Sequence, residues 1–288
     1  MKNILIHIEF VKMTGAGNDF ILIDNRTHKL TLEWEKIAPK LCDRRFGVGA
    51  DGILILTESR MANVKMDYYN ADGSFGGMCG NGGRCVAHYV MACQISDEIS
   101  IEALDYVYKA SREGEKIRLH MKEPSDWKPN IQLEVGNENI RCHFVNTGSP
   151  HVVVFTTDLS RGDESYERSD VLKLGSSIRT HSYFSPDGTN VNFVYDHDTS
   201  SPMMRTFERG VEGETLACGT GAVASAIAMH RIHNYPLPIA IKTRGGETLL
   251  VDFEKKRETI SKVSLTGSAR LSFRGSVILN PEQFQIAR

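Results

Sequence analysis

Apolar and polar positions along this chain fall into short strand-like runs punctuated by glycine, with two apolar stretches long enough to be helices. The series is written twice. "FVKMTGAGNDFILID" (10–24) and "FVNTGSPHVVVFTTD" (144–158) each read as a strand-like entry, a glycine-bearing turn and an apolar strand. "MDYYNADGSFGGMCGNGGRCVAHYVM" (66–91) and "MRTFERGVEGETLACGTGAVASAIAM" (204–229) each open with Met and an extended segment. Each then places a polar residue four positions on, Asn70 or Glu208, turns through glycine, and reaches a cysteine followed by Gly-x-Gly and an apolar helix. Cys79 and Cys218 therefore occupy equivalent positions in two halves of one chain.

The flanking segments extend the pattern. After the first helix "KIRLHM" (116–121) alternates as a strand, and after the second "IAIKTRGGETLLVDF" (239–253) reads as a hairpin around Gly245 and Gly246. Val86, Tyr89, Val90 and Cys93 fall on one face of the first helix, whereas "GTGAVASAIAM" is small and apolar all round, as a buried helix would be. "MKEPSDWKPN" (121–130), with two prolines, is read as the linker, and "RGDESYERSD" (161–170) and "DHDTSS" (196–201) as solvated loops. The duplication predicts two similar α+β domains related by a pseudo-twofold axis, facing each other across a cleft with a thiol on either wall.

Composition narrows the class. A chain of 288 residues suggests two domains of ordinary size, and 41% apolar with 24% charged residues is the balance of a soluble protein. A net charge of -2 and a pI near 6.6 give no reason to expect a nucleic-acid or membrane partner. His7 and Glu9 interrupt the opening apolar run before a signal-peptide core is complete, and no run approaches the roughly 20 residues of a membrane span, so a cytoplasmic location is expected. The six cysteines are scattered without C-x-x-C pairs, which argues against a disulfide framework. Cys79, Cys85 and His88 make a poor zinc pattern, so no metal is expected.

What remains is thiol chemistry. A cysteine at a helix N-terminus lies among unpaired N–H groups and the positive end of the dipole, which favour thiolate and can also seat a carboxylate. Two such thiols on opposite faces of a carbon invert a stereocentre: one removes the α-proton of an amino acid and the other returns a proton from the far side. Cys42, Cys85, Cys93 and Cys142 are read as small buried apolar residues. A reversible Cys79–Cys218 disulfide, a thiol redox module and a non-catalytic amino-acid-binding module are the alternatives. "GVGADG" (47–52) matches a dinucleotide fingerprint, but its context is reversed, with a strand after it rather than before.

With these residues in place, the sequence resembles the diaminopimelate epimerase family over nearly its whole length. The resemblance rests on "GAGNDF", "GVGADG", "NADGS", "MCGNGGRC", "TGSPH", "GTNVNF" and "ERGVEGETLACGTG", in that order. It implies a cofactor-free conversion of LL-2,6-diaminopimelate to the meso form, on the route to lysine and peptidoglycan, with Cys79 and Cys218 as the acid–base pair. It implies that His151 and Glu208 tune the thiols, and that N–H groups around Gly80, Asn81, Gly219 and Thr220 hold the reacting carboxylate. Asn18, Asn70, Asn190 and Arg209, with Glu208, complete the substrate site and read the distal amino-acid centre. A homodimer is implied as well.

The resemblance further implies two domains, each a curved mixed sheet, barrel-like, around a central helix, with the active site in the interdomain cleft. The first takes residues 1–122 and 268–288 and the second 123–267. Three departures stand out: Ser149 where many members have Asn, Gly52 where many have Gln, and one extra residue between Arg209 and Cys218. Proline-type racemases carry His where this chain has Asn81, and phenazine-type isomerases lack the cysteine pair.

Overall fold

The computed structural model describes residues 6–159, 170–196 and 202–279. The segments 161–169 and 197–201, expected as loops, lie outside the described residues. The chain divides into two compact units, Met1–Leu119 with Ser268–Arg288, and His120–Gly267.

The first unit contains β1 (Ile6–Gly15), β2 (Asn18–Asp24), α1 (Asn25–His28), α2 (Trp34–Cys42), β3 (Gly52–Thr57), β4 (Val64–Asn70), α3 (Gly80–Gln94), β5 (Glu98–Ala103), β6 (Tyr106–Glu113) and β7 (Lys116–His120). The second contains β8 (Ser125–Val135), β9 (Glu138–Asn146), β10 (Pro150–Phe155), α4 (Val171–Arg179), β11 (Asn190–Tyr195), β12 (Met203–Glu208), β13 (Gly213–Thr215), α5 (Gly219–His233), β14 (Ile239–Lys242), β15 (Thr248–Lys256) and β16 (Thr259–Ser268). The last described strand, β17 (Arg270–Leu279), pairs antiparallel with β1.

Both units follow one pairing rule. In the first, β1–β2 is antiparallel, β2–β3 parallel, β3–β4 antiparallel, β4–β5 parallel, and β5–β6–β7 antiparallel. In the second, β9–β10, β10–β11, β11–β12, β12–β14 and β14–β15–β16 repeat that series of directions. The place that β17 takes beside β1 is the place that β8 takes beside β9. Each sheet curves around its own helix: α3 packs on β1, β2, β4, β5, β6 and β17, and α5 on β9, β10, β11, β12, β14 and β15.

The near-continuous apolar runs "FILI", "ILIL" and "VVVF" follow from burial on both faces. On the outer face Ile21, Ile23, Ile53 and Ile55 pack with Trp34, Ile37 and Leu41 of α2, and Val152, Val154, Val191 and Phe193 pack with Val171 and Ile178 of α4. Alternate residues turn inward to α3 or α5. The hairpin read at Gly245 and Gly246 is the β14–β15 connection, with Gly246 at φ +83°.

Two expectations are corrected. Residues 121–130 are not a free linker: from Ser125 onward they belong to β8, and Pro129 sits where the β8–β9 register slips between Lys128 and Ile131. A proline is tolerated there because an irregular position does not need its missing N–H. The buried face of α3 is also not the one expected. Val86 and Val90 are joined by Cys85, Ala87 and Met91, while Tyr89 is half-buried and Cys93 exposed. The first turns of α3 are enclosed all round, and its final turn emerges into solvent.

Candidate active site

In the first unit the chain reaches Cys79 through a glycine-rich turn, and Cys79 is the N-cap of α3. Its half-buried Sγ accepts the Gly82 N–H at 3.4 Å, so the thiol stands among the N–H groups of the first turn. Beside it Asn81 is buried and donates from Nδ2 to Asn18 Oδ1 at 2.6 Å, while Arg84 Nη2 donates to Asn81 Oδ1 at 2.8 Å. Arg84 is fully buried and also reaches the Gly80 carbonyl. Asn18 continues the chain to Asp51 at 3.0 Å, which pairs with Arg44. Burial would raise the neighbouring Asp19, but hydrogen bonds and charge from Arg44 and Lys12 hold its carboxyl down to about 2. Asn18 and Asn81 are thus brought together on a charged scaffold.

Asn70, the last residue of β4, is held by other partners: Tyr68 donates its phenol to Asn70 Oδ1 at 2.8 Å, and Asn70 Nδ2 donates to Ser74 Oγ at 3.0 Å. The Tyr68 ring fills the space over Gly52, where an added Cβ would meet Tyr68 Cε2 at 2.5 Å. The same Cβ would meet the Tyr69 backbone carbonyl at 2.5 Å, so a longer side chain at position 52 requires the strand itself to shift as well as the tyrosine. Gly52 also begins β3 directly after "GVGAD", and that segment follows α2, so the dinucleotide reading fails on context, as expected from the sequence.

In the second unit Cys218 caps α5 and is 5% exposed. Its Sγ lies 3.6 Å from Thr220 Oγ1. His151, at the start of β10, is fully buried, with Nε2 2.9 Å from both Ser149 Oγ and Thr220 Oγ1. Its Nδ1 lies 3.1 Å from Asn192 Nδ2. Burial, aided by the Arg209 charge, pushes His151 down to about 3, so the imidazole is neutral at ordinary pH. Glu208 ends β12 and accepts from Thr215 Oγ1 at 2.8 Å. Asn190 donates to the Pro150 carbonyl and accepts the Arg209 N–H, each at 2.9 Å, which ties two expected site residues together.

The longer loop after Arg209 is pinned. Arg179 pairs with Glu212 at 2.9 Å, and Glu212 accepts the Gly210 N–H at 3.0 Å. Gly210, at φ +90°, supplies the left-handed turn that this loop needs.

Of the other cysteines, burial pushes Cys42, Cys85 and Cys142 up to about 12, which makes each an inert thiol. Cys93, expected to be buried, is exposed on the last turn of α3. Reading from the sequence also passed over Asn192, Thr206, Tyr68 and Arg84. Asn192 carried a signal: it lies two residues beyond Asn190 in a strand, and i and i+2 share a face.

Comparison with known proteins places this architecture. Two solved structures share the fold across most of the chain. A hydroxyproline epimerase from Agrobacterium vitis matches with a TM-score of 0.73 at 14% identity, covering 95% of this chain and 93% of that one. A probable proline racemase from Agrobacterium radiobacter matches with a TM-score of 0.74 at 14% identity, covering 95% and 94%. The fold is thus the one seen in these two structures, and the chain is an isomerase of the epimerase kind.

Sequence carries the assignment further. The family model described as diaminopimelate epimerase matches residues 10–125 and 143–272. The chain is 43% identical over 272 residues to the diaminopimelate epimerase of Chlorobaculum tepidum, covering 93% of this chain and 100% of that protein. It is 39% identical over 282 residues to that of Aquifex aeolicus, covering 93% and 97%. The chain belongs to the diaminopimelate epimerase family.

Proposed function

We propose that this chain interconverts LL- and meso-2,6-diaminopimelate by proton transfer between two thiols, Cys79 and Cys218, without a cofactor. It would act in the cytoplasm, as a homodimer, on the route to lysine and peptidoglycan precursors. One observation carries the reading: each duplicated unit presents a cysteine as the N-cap of its central helix.

In one direction the thiolate of one cysteine takes the α-proton, breaking C–H and forming S–H. The thiol of the other gives its proton to the opposite face of the carbanion. Reversal exchanges the roles, so the reaction needs one thiol on each side of the α-carbon. N–H groups at Gly80, Asn81, Gly219 and Thr220 would hold the α-carboxylate, the helix ends lowering the cost of charge there. His151, neutral and buried, and Glu208 would set the protonation of the Cys218 side. Asn18, Asn70, Asn190 and Arg209 would read the distal centre, whose own carboxylate calls for a cation and several amides.

The test is proton NMR of LL-diaminopimelate in D2O with reduced, chelator-treated protein, beside Cys79→Ala and Cys218→Ala. Loss of the α-proton signal with growth of the meso isomer, absent in both variants, supports the proposal. Exchange of proline or hydroxyproline but not diaminopimelate would move the assignment to the racemases that share the fold. No exchange with any of these would sink the acid–base reading.

A further inference from the structure

The proton positions around His151 are fixed by groups that have no choice. Asn192 Nδ2 lies 2.9 Å from the Val152 carbonyl oxygen, which can only accept. Asn192 Oδ1 lies 3.0 Å from Thr206 Oγ1, a hydroxyl able to donate. Flipping the amide would set its oxygen against the carbonyl, so the chemistry of its partners assigns the orientation. The same Nδ2 faces His151 Nδ1 at 3.1 Å, and Nδ1 must therefore accept. A neutral imidazole with an accepting Nδ1 carries its single proton on Nε2. An imidazolium would set two donors against each other, so the contact also excludes the charged form.

The consequence runs outward. Nε2–H shares its one proton between Thr220 Oγ1 and Ser149 Oγ, each 2.9 Å away, and since Nε2 then has no lone pair neither hydroxyl can donate to the ring. The Thr220 hydroxyl proton is then available to Cys218 Sγ, 3.6 Å away. Ser149 adds a weaker donation to Thr220 Oγ1 at 3.4 Å, pointing the same way. Every donor in the series Thr206, Asn192, His151, Thr220 finds an acceptor, and all of these residues belong to the second unit.

We infer that Asn192 is a positioning residue that locks His151 as the Nε2–H tautomer, so that the Thr220 hydroxyl donates to Cys218 and stabilises its thiolate. His151 then serves as a fixed donor and never as a base, because Asn192 occupies its lone pair. The inference rests on the proposed role of Cys218 as a reacting thiol, but its readouts need no substrate. A failure to turn over diaminopimelate would leave them intact.

Proton–nitrogen correlation spectra of 15N-labelled protein at neutral pH read the tautomer directly. Wild type is expected to show His151 protonated at Nε2 and bare at Nδ1. Asn192→Asp is expected to protonate Nδ1, since a carboxylate accepts where the amide donated. In parallel, iodoacetamide labelling of Cys218 is followed by peptide mass at fixed pH. Thr220→Val should slow it about tenfold, the worth of one hydrogen bond to a charged group, and Thr220→Ser should restore it. A wild-type His151 bearing its proton on Nδ1 overturns the inference, and so does Thr220→Val labelling at the wild-type rate. Should Asn192→Asp fail to fold, the wild-type spectrum and the Thr220 pair still decide.

Discussion

The two catalytic cysteines proposed here stand on one backbone plan in opposite kinds of surroundings. Asn70 and Glu208 end β4 and β12, and Gly52 and Asn190 begin the strands beside them, with Phe20 opposite Gly52 and His151 opposite Asn190. Two residues on, Leu54 faces Tyr68 in the first unit, and Asn192 faces Thr206 in the second. Beneath Cys79 the sheet thus offers Phe20, Leu54 and Tyr68, and beneath Cys218 it offers His151, Asn192 and Thr206. The polar partners at the head of the first thiol's helix are Asn18, at the start of β2, and buried Arg84 of the helix itself, both bonded to Asn81.

The difference teaches that a duplicated backbone can keep its strand register while the electrostatics of its two helix heads diverge. A buried polar network is tolerable only when complete, and in the second unit it is complete. The first unit reduces that requirement, with apolar Phe20 and Leu54 and a Tyr68 phenol satisfied by Asn70, and places a cation within the helix. Neutral donors thus stand by the second thiol, whereas at the head of the first helix a buried guanidinium holds the Gly80 carbonyl and Asn81.

Four experiments would break or sharpen this contrast. The largest effect is expected from Cys79→Ala or Cys218→Ala, each lowering epimerisation by about 10²–10⁴, the range for loss of a general acid or base. α-Proton exchange in D2O measures it, and full retention in either variant would end the two-thiol account.

The paired glycines come next. An added Cβ at Gly221 would meet Asn192 Oδ1 at 2.3 Å, within the locked network, whereas at Gly82 it meets the mobile end of Leu54 at 2.9 Å. Gly221→Ala should cost about 1–3 kcal/mol of stability and Gly82→Ala less than about 1 kcal/mol, because only one neighbour can give way. Urea denaturation compares them, and equal costs would mean that the two helix heads are equally tight.

The third effect is pH-dependent stability. His151 is held at about 3, below the 6.5 of an exposed histidine. Between those values the unfolded chain binds the extra proton, so stability is fully present above about 6.5 and falls as pH drops towards 3. The slope assigned to His151 is at most about 1.4 kcal/mol per pH unit. His151→Phe, which copies the Phe20 side, should flatten the fall in urea midpoint between pH 6 and 4 (~1 kcal/mol per unit); an unchanged slope would refute the buried neutral imidazole. The smallest effect is expected from Cys93→Ser. It should remove the fastest-labelling thiol in a thiol titration and leave epimerisation within about twofold, a change of under 0.5 kcal/mol.

Much of this was legible in the chain itself. The repeat of cysteine, Gly-x-Gly and apolar helix after an extended segment marks both thiols and both helix N-termini, because capping and periodicity are local properties. The β14–β15 hairpin was legible for the same reason. The linker reading failed because prolines were weighed without knowing that Pro129 lies at a strand irregularity. Cys93 was misplaced because periodicity tells which residues share a face, not where along a helix the enclosing sheet stops.

The sequence by itself determined the duplication, the mixed α+β class and the two cysteines with their glycines, since each is written in contiguous residues. Only the tertiary structure decided that β17 lies beside β1, that Arg84 is buried against Asn81, and that Asn192 faces His151. Those contacts join residues on different strands or fix which side of a helix is enclosed. Hydrogen-bond direction then depends on partners that no local pattern names, and it was the pairing of β10 with β11 that brought the amide to the imidazole.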